Sequence, residues 1–191
     1  MHRRPLLDLL ARYRHVFPRE TGTIDQIGAL VEAHADCFQR ACRPGHITGA
    51  AWIVSADRRR FLLAHHRKLD RWLQVGGHAD GQWSIEEVAL REAHEESGLA
   101  SFDIVPIDGA PIPFDVDVHQ IPARHDAEGC VVEDAHEHHD IRFLLIAHAG
   151  QEARTSEESH EVAWFTPDEI VQLTDEESVL RMLRKSLELL G

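Results

Sequence analysis

The sequence predicts an α+β sandwich preceded by an N-terminal helical extension, and three observations carry that prediction. Apolar residues recur at helical spacing through residues 1–44, β-rich runs separated by turn residues fill most of the remainder, and helices interrupt those runs irregularly. Neighbouring runs that can pair as hairpins argue against a doubly wound sheet, in which strands and helices alternate. With 191 residues and 43% hydrophobic content, the chain can bury a substantial core, so disorder is not the default.

In the extension, Leu6, Leu7, Leu9, Leu10 and Tyr13 form a helical stripe ahead of Pro18. Thr23 and Gln26 make a capping-box pattern that opens a second helix through Ile27, Leu30, Val31 and Phe38, ended by Pro44-Gly45. Residues 46–55 and 61–66 read as a hairpin around the polar turn ADRRR, and further strands are expected at 72–77, 102–107, 113–121, 141–149 and 161–165. Within 113–121, Phe114, Val116 and Val118 alternate with Asp115, Asp117 and His119, which gives that strand one polar face. A helix is expected from Ser84 to Ser97, with Glu87 completing a capping box and Gly98 as its stop. Thr166, Pro167 and Glu169 open a short helix, and a last one runs from Thr174 with Glu177 along the stripe Val179, Leu180, Leu183, Leu187 and Leu190.

Composition limits the possible functions. A formal net charge of −13 repels a phosphate backbone, so nonspecific nucleic-acid binding is excluded, and a phosphate-bearing ligand would have to be met with metal. No run approaches the ~18 apolar residues of a membrane span, and Asp8 and Arg12 interrupt the first apolar run well short of a secretion signal. Cys37, Cys42 and Cys130 are odd in number and lack C-x-x-C spacing, so they read as reduced thiols of a cytoplasmic protein.

Residues 76–99, GGHADGQWSIEEVALREAHEESGL, carry the chemistry. On a helix, Ile85, Val88 and Ala89 share a face that Glu92, Glu95 and Glu96 continue toward the C-terminus. Carboxylates spaced i, i+3 and i+4 repel by about 3 kcal/mol per pair at 5 Å and an effective dielectric of 20. The negative end of the helix dipole adds to that cost. Acids that extend an apolar stripe beside a Gly-Gly loop break local rules on one face, which marks a functional site rather than a solvated surface. Hard cations such as Mg²⁺ or Mn²⁺ take carboxylate oxygens and keep positions for substrate phosphates, so the spacing points to metal-dependent chemistry on a phosphate.

The segment resembles a Nudix box, G-x5-E-x7-R-E-U-x-E-E-x-G-U with U aliphatic. Gly77, Arg91, Glu92, Ala93, Glu95, Glu96, Gly98 and Leu99 fall in register, and Trp83 stands where the pattern has its first Glu. By the resemblance, that missing residue supports the loop and the box arginine rather than the metal. Glu87, four residues before Arg91, is a replacement partner for it.

Similarity to Nudix hydrolases implies a Nudix-like α/β/α sandwich with a mixed sheet over residues 45–191, with residues 1–44 outside it. It also implies hydrolysis of the pyrophosphate linkage in a nucleoside diphosphate linked to another moiety, with water attacking phosphorus. Mg²⁺ or Mn²⁺ would be held by Glu92, Glu95, Glu96 and the Gly77 carbonyl. Glu92 would also orient or deprotonate the water, and Arg91 would orient Glu92. A further acid from a later loop is assigned to Glu158, with Glu157 and Glu161 as rivals. Trp83 and the helical extension motivate an alternative: a catalytically weak Nudix-fold module that binds nucleotide or regulates. The extension would pack on the sandwich or mediate a homodimer.

Fifteen histidines are the other oddity of the composition. His136, Glu137, His138, His139 and Asp140 precede the strand at 141 as loop residues, and alternation puts His136 and His138 on one side and His139 on the other. A zinc or nickel site there would need a further cluster that the sequence spacing does not supply. The same run, with Asp115, Asp117 and His119, could instead line a substrate cleft. Trp72 and Trp164 read as core residues, and the basic stretch from Arg58 to Arg71 as a solvated turn.

Overall fold

A computed structural model describes residues 2–191. Two helices open the chain, α1 (Arg4–Val16) and α2 (Thr21–Ala33), followed by strands β1 (Gly45–Val54), β2 (Phe61–His66), β3 (Arg71–Leu73) and β4 (Val75–His78). Helix α3 (Ile85–Ser97) leads to β5 (Phe102–Ile104), β6 (Asp115–Ile121), β7 (Arg124–His125), β8 (Val131–Glu133), β9 (His136–Ala147) and β10 (Ser159–Phe165), and α4 (Pro167–Leu173) and α5 (Glu177–Leu190) close it. The α/β/α arrangement is thus the expected one, with a mixed sheet between helices.

β1 is buried along its whole length and lies parallel to β9, from Gly45 opposite Glu137 to Val54 opposite Ile146. Around this pair the sheet forks. β2 takes the C-terminal end of β1 and β4 its N-terminal half, while β5 takes the C-terminal end of β9 and β6 its N-terminal half. One end of the sheet is therefore built from β4, β1, β9 and β6 side by side.

Strand alternation divides the core in two. Ile47, Ala51 and Ile53 of β1, with Ile141, Phe143 and Leu145 of β9, face α1, α2 and α3. Trp52, Val54 and Leu144 face α4 and α5, where Val179, Met182 and Leu183 meet them. The N-terminal helices share the first cluster through Leu6, Leu10, Tyr13, Ile24, Ile27 and Val31, so their apolar stripes are spent within this chain. Among the described residues no helix is long and apolar enough to cross a membrane.

Several boundaries differ from the sequence expectations. The Thr23–Gln26 capping box does not form, because a 3-10 turn at Pro18–Glu20 feeds directly into α2 and its first residue is Thr21; the helix stops at Ala33 rather than reaching Phe38. Ser84 precedes α3 without a side-chain cap, and the Glu87 carboxylate accepts from Gln82 instead of closing the box. Glu176, not Thr174, precedes α5. The run 72–77 breaks at Gln74, because β3 pairs with β2 and β4 with β1. The strand expected at 102–107 stops at Ile104. The short β7–β8 pair carries no sequence signal, being polar and brief. The largest difference is β9, which starts at His136 and absorbs the HEHHD run; β1 and β6 satisfy its backbone on both sides, so it needs no apolar alternation there. The Thr166–Pro167–Glu169 box and the Gly98 stop form as expected, Gly98 with φ 67°.

Candidate active site

Helix α3 lies so close on β1 that a Cβ on Gly49 would stand 2.8 Å from Val88 Cγ1. That seats Ile85, Val88, Ala89 and Ala93 in the core and carries Glu92 and Glu96 in with them, to 9% and 8% exposure. Gly77, on β4 directly opposite Gly49, has no side chain because the Glu92 carboxylate occupies its place: a Cβ there would be 2.6 Å from Glu92 Oε2. The backbone N–H of Gly76 donates to Glu96 Oε1 at 2.9 Å. Both box acids are thus held against the Gly-Gly strand.

Their electrostatics are unusual. Burial raises Glu92 to about 7, with Glu95 and Glu158 adding to the effect and Arg91 opposing it. Burial likewise raises Glu96 to about 8, against the single Gly76 hydrogen bond. Arg91 forms an ion pair with Glu92, 2.9 Å apart, and donates to the His78 carbonyl at 2.9 Å, so one guanidinium ties the helix to β4. Glu95 does not share the burial expected from the stripe: it lies 3.6 Å from Arg91 with its side chain 60% exposed. Nor does Glu87 take the place of the box's first acid: its carboxylate accepts from Gln82 rather than meeting Arg91. Trp83 stands half exposed beyond the helix start.

Glu158 is exposed in the turn before β10, and among Glu157, Glu158 and Glu161 it is the one whose charge raises both Glu92 and Glu96. Arg40 has no counterpart in the sequence reading. It comes from the segment after α2, makes a bidentate pair with Asp80 at 2.5 and 2.7 Å, and its charge lowers Glu92. The loop after β4 is braced by the same segment, since Gly81 N–H donates to the Phe38 carbonyl at 2.8 Å. Only the fold brings Arg40 to Asp80, so no sequence signal could have found it.

On the opposite sheet face lie the acids of β6. Arg142 is fully buried and donates to Asp140 at 2.8 Å, Asp115 at 2.9 Å and Asp117 at 3.1 Å. Arg181 of α5 joins Asp115 and Asp117, and Lys185 joins Asp115, Glu20 and Tyr13. Burial disfavours charged Asp115, but the Arg181 hydrogen bond and the Arg142 and Lys185 charges outweigh it and keep its carboxyl below the usual range. Asp115 and Asp117 therefore serve the core rather than line a cleft.

Past this network, at the end where β4 and β6 flank the central pair, the same face turns to histidine. His46, His78, His119, His136 and His138 come together there, with His136 and His138 on β9 rather than in the expected loop. His139 points the other way, to Glu137, as alternation predicts. Burial lowers His46 to about 4 and His138 further, so both imidazoles are neutral near pH 7.

A family model for the NUDIX domain matches residues 45–185. A crystal structure of a NUDIX-family hydrolase from Clostridium perfringens aligns with a TM-score of 0.58 and 24% identity, over 76% of this chain and 98% of that one. An Ap4A hydrolase of C. elegans aligns with a TM-score of 0.54 and 16% identity, over 75% and 96%. The E. coli dihydroneopterin triphosphate pyrophosphohydrolase gives 0.52 and 16%, over 75% and 94%. No match was found among curated proteins. The NUDIX match spans most of the chain, and the mixed sheet with the box helix against its Gly-Gly strand is the fold of those hydrolases: the chain belongs to the Nudix family.

Proposed function

We propose that the chain is a metal-dependent pyrophosphohydrolase that cleaves a nucleoside diphosphate linked to another moiety, acting in the cytoplasm, with residues 45–191 as the catalytic domain and residues 1–44 as its brace. The observation that carries this is the pair Glu92 and Glu96: two buried carboxyls beside Gly76 and Gly77 that Arg91 alone leaves short of positive charge. Buried acids of that kind are either kept neutral or matched by a cation. Among the described residues the box acids do not form a closed group of three ligand atoms. Mg²⁺ does not need one, because it keeps several waters and binds through one or two carboxylates plus substrate phosphates. The donor set therefore fits a hard ion.

Glu92, Glu95 and Glu96, with the Gly77 carbonyl, would hold Mg²⁺ or Mn²⁺, which when bound supplies charge neutralisation at the diphosphate and a more acidic attacking water. Arg91 fixes the Glu92 carboxylate against β4. Without the ion Glu92 is raised to about 7 by burial; beside a bound Mg²⁺ it would stay deprotonated, so that it can orient the attacking water or accept its proton. Glu158 brings a further acid to the open side of the site. Since α1 and α2 use their apolar stripes within the chain, a homodimer would have to form through other surface.

One observation favours the second reading, a weakly active binding module: Trp83 replaces the box's first acid and nothing takes over its role toward Arg91. The test is a substrate panel of ADP-ribose, NADH, dinucleoside polyphosphates and nucleoside triphosphates with Mg²⁺ or Mn²⁺ and product identification. Turnover that falls by at least about 10²-fold in Glu92→Gln, the scale of losing one electrostatic stabiliser, supports hydrolysis. Tight binding without turnover on any of these supports the module.

A further inference from the structure

The histidine end of the sheet has a feature that hydrolysis does not use. His46 of β1 is 1% exposed, and neither of its ring nitrogens has a hydrogen-bond partner among the described residues. Buried polar groups are almost always satisfied, so an imidazole orphaned at both nitrogens calls for a ligand. The rings of His136 and His138 both stand against it, each with its centroid 4.9 Å away, and 5.2 Å from each other, so the three close a triangle. One nitrogen from each of the three rings can be chosen so that all lie within 4.8 Å of one another.

The neighbours of these rings fix which nitrogen is free. His136 Nδ1–H donates to the Asp134 carbonyl at 2.8 Å, which leaves the lone pair on Nε2. A ring held by its outer nitrogen to a carbonyl is how metal-bound histidines are oriented. That Nε2 is 3.4 Å from His138 Nε2. Two nitrogens bound to one tetrahedral zinc at about 2.0–2.1 Å are themselves separated by roughly 3.4 Å. A simple hydrogen bond between His136 and His138 would account for that pair but would still leave His46 orphaned.

We propose that His46, His136 and His138 form a binding site for a borderline divalent cation of the zinc class, on the sheet face opposite the box glutamates. Three imidazoles offer nitrogen donors, which suit zinc, nickel or copper and not the hard Mg²⁺ of a carboxylate site. Three protein ligands leave one position of a tetrahedral ion open, and His78 is the nearest further imidazole, with its centroid 5.0 Å from those of His46 and His138. Because His46 sits on β1 and the other two on β9, the ion would pin together the central strands at the end where β4 delivers Gly77. The carboxylate site and the histidine site would then use the two faces of one sheet for two kinds of cation.

The test uses the full chain, stripped with a chelator and dialysed against Zn²⁺ in a millimolar excess of Mg²⁺, with bound metal measured directly. One equivalent of Zn²⁺ should remain bound in the wild type and in the Glu92→Gln, Glu96→Gln double variant, whose box is disabled. His46→Ala and, separately, the less buried His138→Asn should weaken Zn²⁺ binding by more than the 10–100-fold typical of losing an outer partner. Cys42→Ser, which disables the other candidate group of His34, Asp36 and Cys42, should leave it unchanged. Co²⁺ in place of Zn²⁺ should give the visible absorption of a tetrahedral site in the wild type and lose it in His138→Asn. Zn²⁺ retained by His138→Asn, Zn²⁺ lost in the box or Cys42 variants, or no Zn²⁺ bound by the wild type overturns the proposal.

Discussion

Two groups of buried acids flank the same central strands, and they are treated in opposite ways. Asp115, Asp117 and Asp140 meet Arg142, Arg181 and Lys185, so that Asp115 and Asp117 stay ionised below their ordinary range. Glu92 and Glu96 are nearly as buried but are met only by Arg91, a backbone N–H and the Arg40 charge acting on Glu92, and they rise to about 7 and about 8. Desolvation is the largest single influence on all four; what differs is whether the fold supplies the counter-charge. Where it does, the acids hold α5 and the N-terminal turn to the sheet. Where it does not, the missing charge is the opening for a cation, and perturbed carboxyls of that kind collect at functional sites.

The largest consequence concerns stability. Arg142→Gln would leave three carboxyls buried around an uncharged amide, and breaking a buried ion pair from one side costs about 3–5 kcal/mol. Urea unfolding should show that loss as a midpoint far below the wild type. Glu96→Gln does the reverse, since it removes the cost of burying that charge or of keeping the carboxyl protonated, and keeps an oxygen for the Gly76 N–H. In chelator its midpoint should match or exceed the wild type. If Arg142→Gln unfolds at the wild-type midpoint, or Glu96→Gln at a much lower one, the division between paired and unpaired acids is wrong.

This contrast was half visible in the sequence. The box acids stood out because they extend an apolar helical stripe, a local pattern that needs no tertiary knowledge. Asp115 and Asp117 showed only as one polar strand face, because their partners Arg142, Arg181 and Lys185 lie far along the chain and meet them through strand pairing and α5. The same holds for His46: HEHHD is conspicuous, but the residue that completes its cluster arrives through the parallel pairing of β1 with β9, which spans ninety residues of sequence and follows no local rule. Strand β9 reads short in the sequence because its histidine half lacks apolar alternation. The β1–β2 hairpin and the α4 cap, by contrast, rest on adjacent residues and were legible.

A second way to sharpen the comparison is pH. A carboxyl whose folded pKa exceeds its unfolded value binds a proton more tightly when folded, so its favourable contribution is present at low pH and lost as pH rises between the two values. For Glu96 that window runs from 4.5 to about 8, and for Glu92 from 4.5 to about 7. His46 works oppositely, losing stability as pH falls from 6.5 toward about 4, so the whole-protein curve mixes the two. The difference between wild type and Glu96→Gln isolates the carboxyl. In chelator, the wild-type Tm should fall relative to the variant as pH climbs from 5 to 8, and saturating Mg²⁺ should cancel that fall, because the ion binds the deprotonated form. Parallel Tm curves in chelator would mean that Glu96 is not held protonated.

The smallest effect is expected at Arg40, which separates a brace from an electrostatic neighbour. Its pair with Asp80 is well formed, but the arginine side chain is 60% exposed, so solvent screening limits the pair's worth to less than about 1 kcal/mol. Arg40→Ala should therefore move Tm little. Its charge nevertheless lowers Glu92, against Glu95 and Glu158, which raise it. Without it Glu92 should titrate higher, and the acid limb of the kcat profile should shift to higher pH. Arg40→Lys should restore the limb, since it keeps the charge while losing the bidentate geometry. The Arg40→Ala shift should also fade as salt is raised, because an exposed charge acts through solvent and is screened within about 10 Å at 0.1 M. A limb that Arg40→Ala leaves in place, at low salt and high, would reduce Arg40 to a loop brace and leave Arg91 as the one cation acting on the box.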